Sequence, residues 1–379
     1  MKSRRLALLV AIALGGGGFL SSAQSVSAAD VTGNNVEIDS THEPSNNVQE
    51  PGGPRIGSAA GYIGGEGDSG NVTNNILTFK DRPFPGYATS LYGGITFGTG
   101  NVKGNKVFVQ PATYPLVSIA RDAYGGVANG GGSVEDNHVI FNGTRLERDL
   151  VGGMTNKTGM GVVEKNTATL RGGTIDGDIY GGMAVGNANG NVVGNKVFIE
   201  TGAAGKVYGG FTDGDGKVTG NEVTIKGGTV TAVYGGYTDG TGEVSGNTVN
   251  LGDGTAALKA GYQINGTIFG GHSSDLNKVS NNTLNVNANA VAHNIKNFEM
   301  INFNFNAYMN TTGSLLTLTD SSKTKIKNLD QLHMNGEWLG SGTLIENANG
   351  IDIESYTSKL GRTGEKTETI IDKDGTTKI

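Results

Sequence analysis

Residues 207–225 read VYGGFTDGDGKVTGNEVTI, and residues 233–251 read VYGGYTDGTGEVSGNTVNL. The two stretches repeat one plan. An apolar residue and a tyrosine precede two glycines, a Thr-Asp-Gly-rich tail follows, and a Val-x-x-Asn-x-Val segment closes the unit. After the asparagine the apolar residues sit two apart and are mostly β-branched, which is strand periodicity. Glycine is too frequent for any helix longer than a turn or two. The Gly-Gly pairs and the tails after them read as bends between short strands.

The same plan extends in both directions. Val-x-x-Asn segments begin at Val31, Val72, Val102, Val134, Val163, Val192, Val218, Val244 and Val279, so that Asn105, Asn195, Asn221 and Asn247 are members of one column. The aromatic before Gly-Gly recurs as Tyr92, Tyr124, Tyr180, Tyr208, Tyr234 and Phe269, with Ile63 and Val151 standing in for it. A unit of about thirty residues cannot bury an apolar face alone, whereas stacked units build a continuous core. The chain is therefore predicted to be all-β, a parallel β-helix or β-solenoid of eight to nine coils, right-handed, over 30–286. A propeller competes less well, because its blades take about forty residues or more. Segments 38–62 and 110–123 carry extra length, with Pro51, Pro54, Pro111 and Pro115, and are expected as protruding loops. The pattern stops after Val286. Residues 287–320 are richer in Phe and keep the two-residue alternation, and 287–350 are expected to form a C-terminal β cap; 351–379 read as a charged, partly disordered tail.

The asparagine column predicts an amide ladder running along the rod. The aromatic column invites a sugar-binding platform, but stacked rings that stiffen the solenoid are the simpler reading. Apolar residues beside the rings should face the other side of the strand. The pattern leaves open which of the two columns points inward.

Composition narrows the function. The chain has 65 Gly without a Gly-X-Y period, which excludes collagen, and its net charge of −6 comes with no basic cluster beyond the N-terminus. Nucleic acid is excluded as a partner on that ground. There is no cysteine, so stability must come from stacking and not from disulfides. At the N-terminus, Lys2, Arg4 and Arg5 precede an apolar run from Leu6 to Leu14, and a small-residue stretch ends at Ala29. That run is far short of the ~20 residues of a spanning helix. Residues 1–29 are predicted to be a signal peptide, placing the chain at the cell surface, in the outer membrane or in the medium.

Catalytic chemistry is hard to find. His42, His138, His272, His293 and His333 fall at unrelated repeat positions and read as isolated surface residues. The best acidic group is Asp213, Asp215 and Asp239 with Glu243; Asp213 and Asp239 hold the same place in consecutive repeats, and Lys217 is nearby. A Ca²⁺ site there is the sharper reading and turn-forming aspartates the plainer one, since the spacing fits no calcium loop. No cofactor is expected, and the chain is not read as an enzyme.

Val207 to Val223 and Val233 to Val249 lead on to Asn297-Phe298…Ile301-Asn302-Phe303 and the strand Leu315-Leu316-Thr317-Leu318-Thr319. This combination resembles passenger domains of Gram-negative autotransporters, of the Gly/Asn-rich β-helix adhesin type, over residues 31–350. The resemblance implies secretion through a C-terminal outer-membrane barrel and display for adhesion or aggregation. After Leu318 there is room for only a handful of strands, so the translocator barrel is missing, and it would be supplied in cis by a longer chain or in trans. The expected function is that of a displayed or secreted passenger contacting host or neighbouring-cell surface molecules, glycans among them. The alternative is a secreted polysaccharide-binding or polysaccharide-degrading β-helix, for which carboxylates would have to converge on one face of adjacent coils.

Overall fold

The computed structural model describes residues 30–38, 61–67, 69–80, 89–111, 120–156, 161–186, 189–310, 312–336, 342–354, 369–372 and 375–378. The predicted signal segment 1–29, His42, Pro51, Pro54, Pro115 and Trp338 lie outside them.

The chain is a β-solenoid of about nine coils, in which three sheets of parallel strands run along the rod. The first sheet has nine two-residue strands, from Val31–Thr32 to Val279–Ser280. The second has eleven strands, from Asn35–Ile38 to Leu332–Asn335, and most are four residues long. The third holds the long strands, such as Ala203–Thr212, Thr229–Thr238 and Gln263–His272. Each coil is registered on the repeat read from the sequence: Val192 pairs with Val218 and Val218 with Val244, while Tyr180 pairs with Tyr208 and Tyr208 with Tyr234.

The corner between the first and second sheets needs a left-handed residue. Gly33, Asn74, Gly104, Asp136, Lys165, Gly194, Gly220, Gly246 and Asn281 fill it, with φ between 54° and 69°. Two cores lie inside. Alternate residues of the second sheet, such as Val223 and Ile225, meet Val207, Val233 and Ile268 of the third in the main one. A narrower core sets the valines of the first sheet against Ala128 and Ala184. In other coils the place of those alanines is taken by Thr96, Thr155, Thr212 and Thr238, all fully buried. The Thr238 hydroxyl donates to the Gly214 carbonyl at 2.6 Å, which answers the need of a buried hydroxyl for a partner.

The Gly-Gly pairs are not bends between strands. Gly209 and Gly210 lie inside the strand Ala203–Thr212, whose register runs from Tyr208↔Tyr234 to Gly210↔Gly236 with no ladder pair at the first glycine. A Cβ on Gly209 would stand 2.4 Å from the Gly235 carbonyl of the next coil, and one on Gly210 would stand 2.6 Å from the Asn221 amide nitrogen. The pair is there because backbone and asparagine approach too closely for a side chain, not because the chain turns.

Other boundaries also shift. Gly61 and Tyr62 belong to the strand Gly61–Gly67, and Ala120 to Ala123 belong to Ala120–Ala128, so neither stretch is loop; 39–60 and 112–119 lie outside the described residues. Stacking does not end at Val286. Ala290–Lys296, Met300–Asn304, Ser314–Leu318, Leu332–Asn335 and Thr343–Asn347 continue the second and third sheets, and only the first sheet stops, at Val279–Ser280. Phe298, Phe303 and Met309 enlarge the main core there, where the valine column of the first sheet has run out. Within the expected tail, Thr369–Asp372 and Gly375–Lys378 form an antiparallel hairpin.

Candidate functional site

Side chains able to do chemistry are gathered on the outer side of the third sheet. The residue before each aromatic points into the main core, as Leu91, Ile179, Val207 and Val233 show, and so the aromatic column faces outward. The rings stack. Centroid separations are 5.2 Å for Tyr92–Tyr124, 4.9 Å for Tyr180–Tyr208, 5.0 Å for Tyr208–Tyr234 and 4.7 Å for Tyr234–Phe269, with planes within 10° of parallel. A second column lies beside the first, beyond the glycines: Ile95, Val127 and Met154, then Phe211, Tyr237 and His272. Phe211–Tyr237 and Tyr237–His272 stack at 5.4 and 4.6 Å, and Tyr234 meets Tyr237 edge-on at 88°. His272 is therefore a member of this second column, not an isolated surface histidine.

This geometry decides between platform and stiffener. A sugar stacks on the face of a ring, and here the faces are covered by rings of neighbouring coils, leaving edges outward. Tyr92, Tyr124, Tyr180 and Tyr208 are buried, and burial is the main cause that raises their hydroxyls above the ordinary tyrosine range, Tyr92 to about 12. The stacks make the rod rigid.

Beside the tyrosines runs a column that the motif reading missed. Asp122, Asp149 and Asp178 stand two residues before the aromatic position (Tyr124, Val151, Tyr180) in three consecutive coils. One oxygen of each accepts the backbone N–H of the next coil: Asp149 N to Asp122 at 3.3 Å, Asp178 N to Asp149 at 2.9 Å, Lys206 N to Asp178 at 2.6 Å. Burial, opposed by its bond from Asp178, raises the Asp149 carboxyl above the usual carboxylate range, and the charges of Asp122 and Asp178 push the same way. Arg121 and Arg148 approach Asp122 at 3.9 and 4.0 Å. Aligning the repeats on Gly-Gly would have exposed the column; searching for carboxylates after the glycines passed over it.

The predicted acidic residues occupy the turns instead. Asp213 accepts from the Gly186 N–H at 2.7 Å, Asp215 from the Thr241 N–H at 2.7 Å, and Asp239 from the Tyr237 hydroxyl at 2.9 Å. Bonds from the Thr241 N–H and hydroxyl hold the Asp215 carboxyl below its ordinary range. Lys217 reaches Glu243 at 2.9 Å. Asp213, Asp215 and Glu243 tie one turn to the next, whereas Asp239 is bonded within its own coil. Among the described residues no three His, Asp or Glu converge as a metal site would require.

The asparagine column forms the predicted ladder. Asn75, Asn105, Asn137, Asn166, Asn195, Asn221, Asn247 and Asn282 are fully buried. The Asn221 Oδ1 accepts both the N–H and the amide of Asn195 at 3.0 Å, and the Asn221 amide donates to Asn247 at 2.9 Å and to the Val192 carbonyl at 3.1 Å. In the coil after Asn282, Glu299 takes the asparagine's place, accepting the Asn282 N–H at 2.8 Å. Compared with protein-family models, curated proteins and solved structures, the chain matches none of them, and its own geometry carries the functional reading.

Proposed function

We propose that this chain is an exported solenoid passenger that makes contacts at a cell surface, adhesin-like and not catalytic. The observation that carries the reading is the role of the repeat residues. Asparagines, aspartates, buried threonines and tyrosines join each coil to its neighbour, so the conserved plan builds a stiff rod and leaves recognition to the side chains and insertions that vary between coils. Weak contacts repeated along such a rod add up to avidity. The signal-like N-terminus and the resemblance to autotransporter passengers support export and display, with a barrel supplied by a longer chain or a separate one.

Two measurements test it. Protease added to intact cells of the source should remove the chain, and beads coated with the purified protein should adhere to cells more than beads coated with the heat-unfolded protein. Protection from protease together with equal adhesion of both beads would sink the reading. The Asp122, Asp149 and Asp178 column favours polysaccharide cleavage as the second reading, because it sets carboxylates on one face of adjacent coils. Reducing-sugar release from acidic glycans that disappears in Asp149→Asn would establish it; no release by the parent protein would dismiss it.

A further inference from the structure

The strand Thr324–Ile326 turns Thr324 and Ile326 inward, 0% and 3% exposed, so Lys323, Lys325 and Lys327 fall on its other side. With Lys296 they line a cleft of 310 Å³ floored by Ile295, Phe298 and Ile326. Glu354 is the one carboxylate lining it, and Asp352 stands opposite Lys325 in the paired strand. Lys80, Lys103, Lys196, Lys217 and Lys226 each pair with a carboxylate of a neighbouring coil, at 2.6 to 3.1 Å. Lys296, Lys325 and Lys327 have no ion pair among the described residues, and they stand in a chain whose net charge is −6.

Lys327 also interacts with Glu299, but the four lysines lining this concave, partly apolar site outnumber its one carboxylate, which raises the local potential and draws an anion. Lysines two residues apart on a strand are spaced about 7 Å, so the row suits a chain of repeated charges better than one small ion. An apolar floor beneath a cationic rim suits a ring that carries acidic substituents. We infer that this cleft binds a segment of an acidic polysaccharide, with its carboxylate or sulfate groups on Lys296, Lys325 and Lys327. The inference rests on the surface-contact reading for the partner's being an extracellular glycan.

Binding is measured by titrating the purified full chain with a sulfated heparin-derived oligosaccharide and with oligogalacturonate; neutral dextran and single-stranded DNA serve as controls. One or both acidic sugars should bind, and the arm that binds tells sulfate from carboxylate. Lys325→Gln/Lys327→Gln should lower the affinity about tenfold or more, tenfold being the worth of one charge-assisted bond. Lys103→Gln/Lys217→Gln removes the same charge elsewhere and should leave it unchanged. Failure of both sugars, equal loss in the two double variants, or DNA bound as tightly as sugar would each overturn the cleft. Failure here with bead adhesion intact removes the cleft and keeps the surface-contact function; sugar binding without adhesion does the reverse.

Discussion

At the scale of single residues, one asparagine and two glycines form a unit. Asn221 presents one oxygen to two donors of the previous coil, and its amide lies where a Cβ on Gly210 would be. Asn221→Ala leaves the buried Asn195 N–H without an acceptor and should cost about 3 kcal/mol. Hydrogen exchange at the Asn195 amide reads this directly; unchanged protection would show the ladder to be ornamental. Not all glycines matter for the same reason. Gly209→Ala drives a methyl into the Gly235 carbonyl and should separate the coils, at about 3 kcal/mol or more. Gly220→Ala meets almost open space, its nearest neighbour 4.0 Å away, and should cost only about 1 kcal/mol for its φ of 65°. Thermal melts of the two variants should therefore differ clearly, and equal melting points would refute this division. The asparagine column was legible in the sequence because every copy keeps its spacing from Val. The glycines' purpose was not, since close approach between coils leaves no mark on local pattern and Gly-Gly signals turns in most chains.

At the scale of elements, the three sheets do not end together. The first stops at Val279–Ser280, and in the next coil the asparagine position is held by Glu299. Its carboxyl is half-buried, and burial raises it above the ordinary glutamate range although it accepts the Asn282 N–H. The folded state thus holds this proton more tightly than the unfolded chain does. Stability from the group is full below the unfolded value near 4.5 and declines as pH rises through it to the folded value. Glu299→Gln keeps an acceptor without the charge, so it should raise the melting temperature at pH 7 and have no such effect at about pH 4. A gain of equal size at both pH values would show that Glu299 does not titrate in this way. Pattern alone placed the end of the solenoid at Val286, since the Val-x-x-Asn signature belongs to the first sheet. The strands beyond keep only the two-residue alternation, as in Ile301-Asn302-Phe303, which a cap and a further coil share.

At the scale of the whole molecule, almost every contact joins nearest neighbours along the axis, so stability should vary from place to place. The coils between Val163 and Leu251 keep near-constant spacing, with ladder, aromatic stacks and both cores all present. Exchange protection should be greatest at Val207 and Val233 and fall towards Val36 and Leu344; uniform protection along the rod would mean a single cooperative unit. Fold class and register were legible here because repetition multiplies a weak signal. The lysine cleft was not, as Lys296 and the Lys323 to Lys327 row are apart in the chain and meet only after a further coil has stacked. The amide ladder has one more consequence. All its members point the same way: each asparagine offers donors to the coil that follows and an acceptor to the coil before. A partly built rod is therefore not symmetric. Within the ladder, the leading tip bares donors that the next turn of chain takes from water, and the trailing tip bares the side-chain acceptor. Such an object has a plus and a minus end, as a filament has. At the far end Glu299 supplies the last acceptor, so the ladder is closed there by a carboxylate and not by another amide.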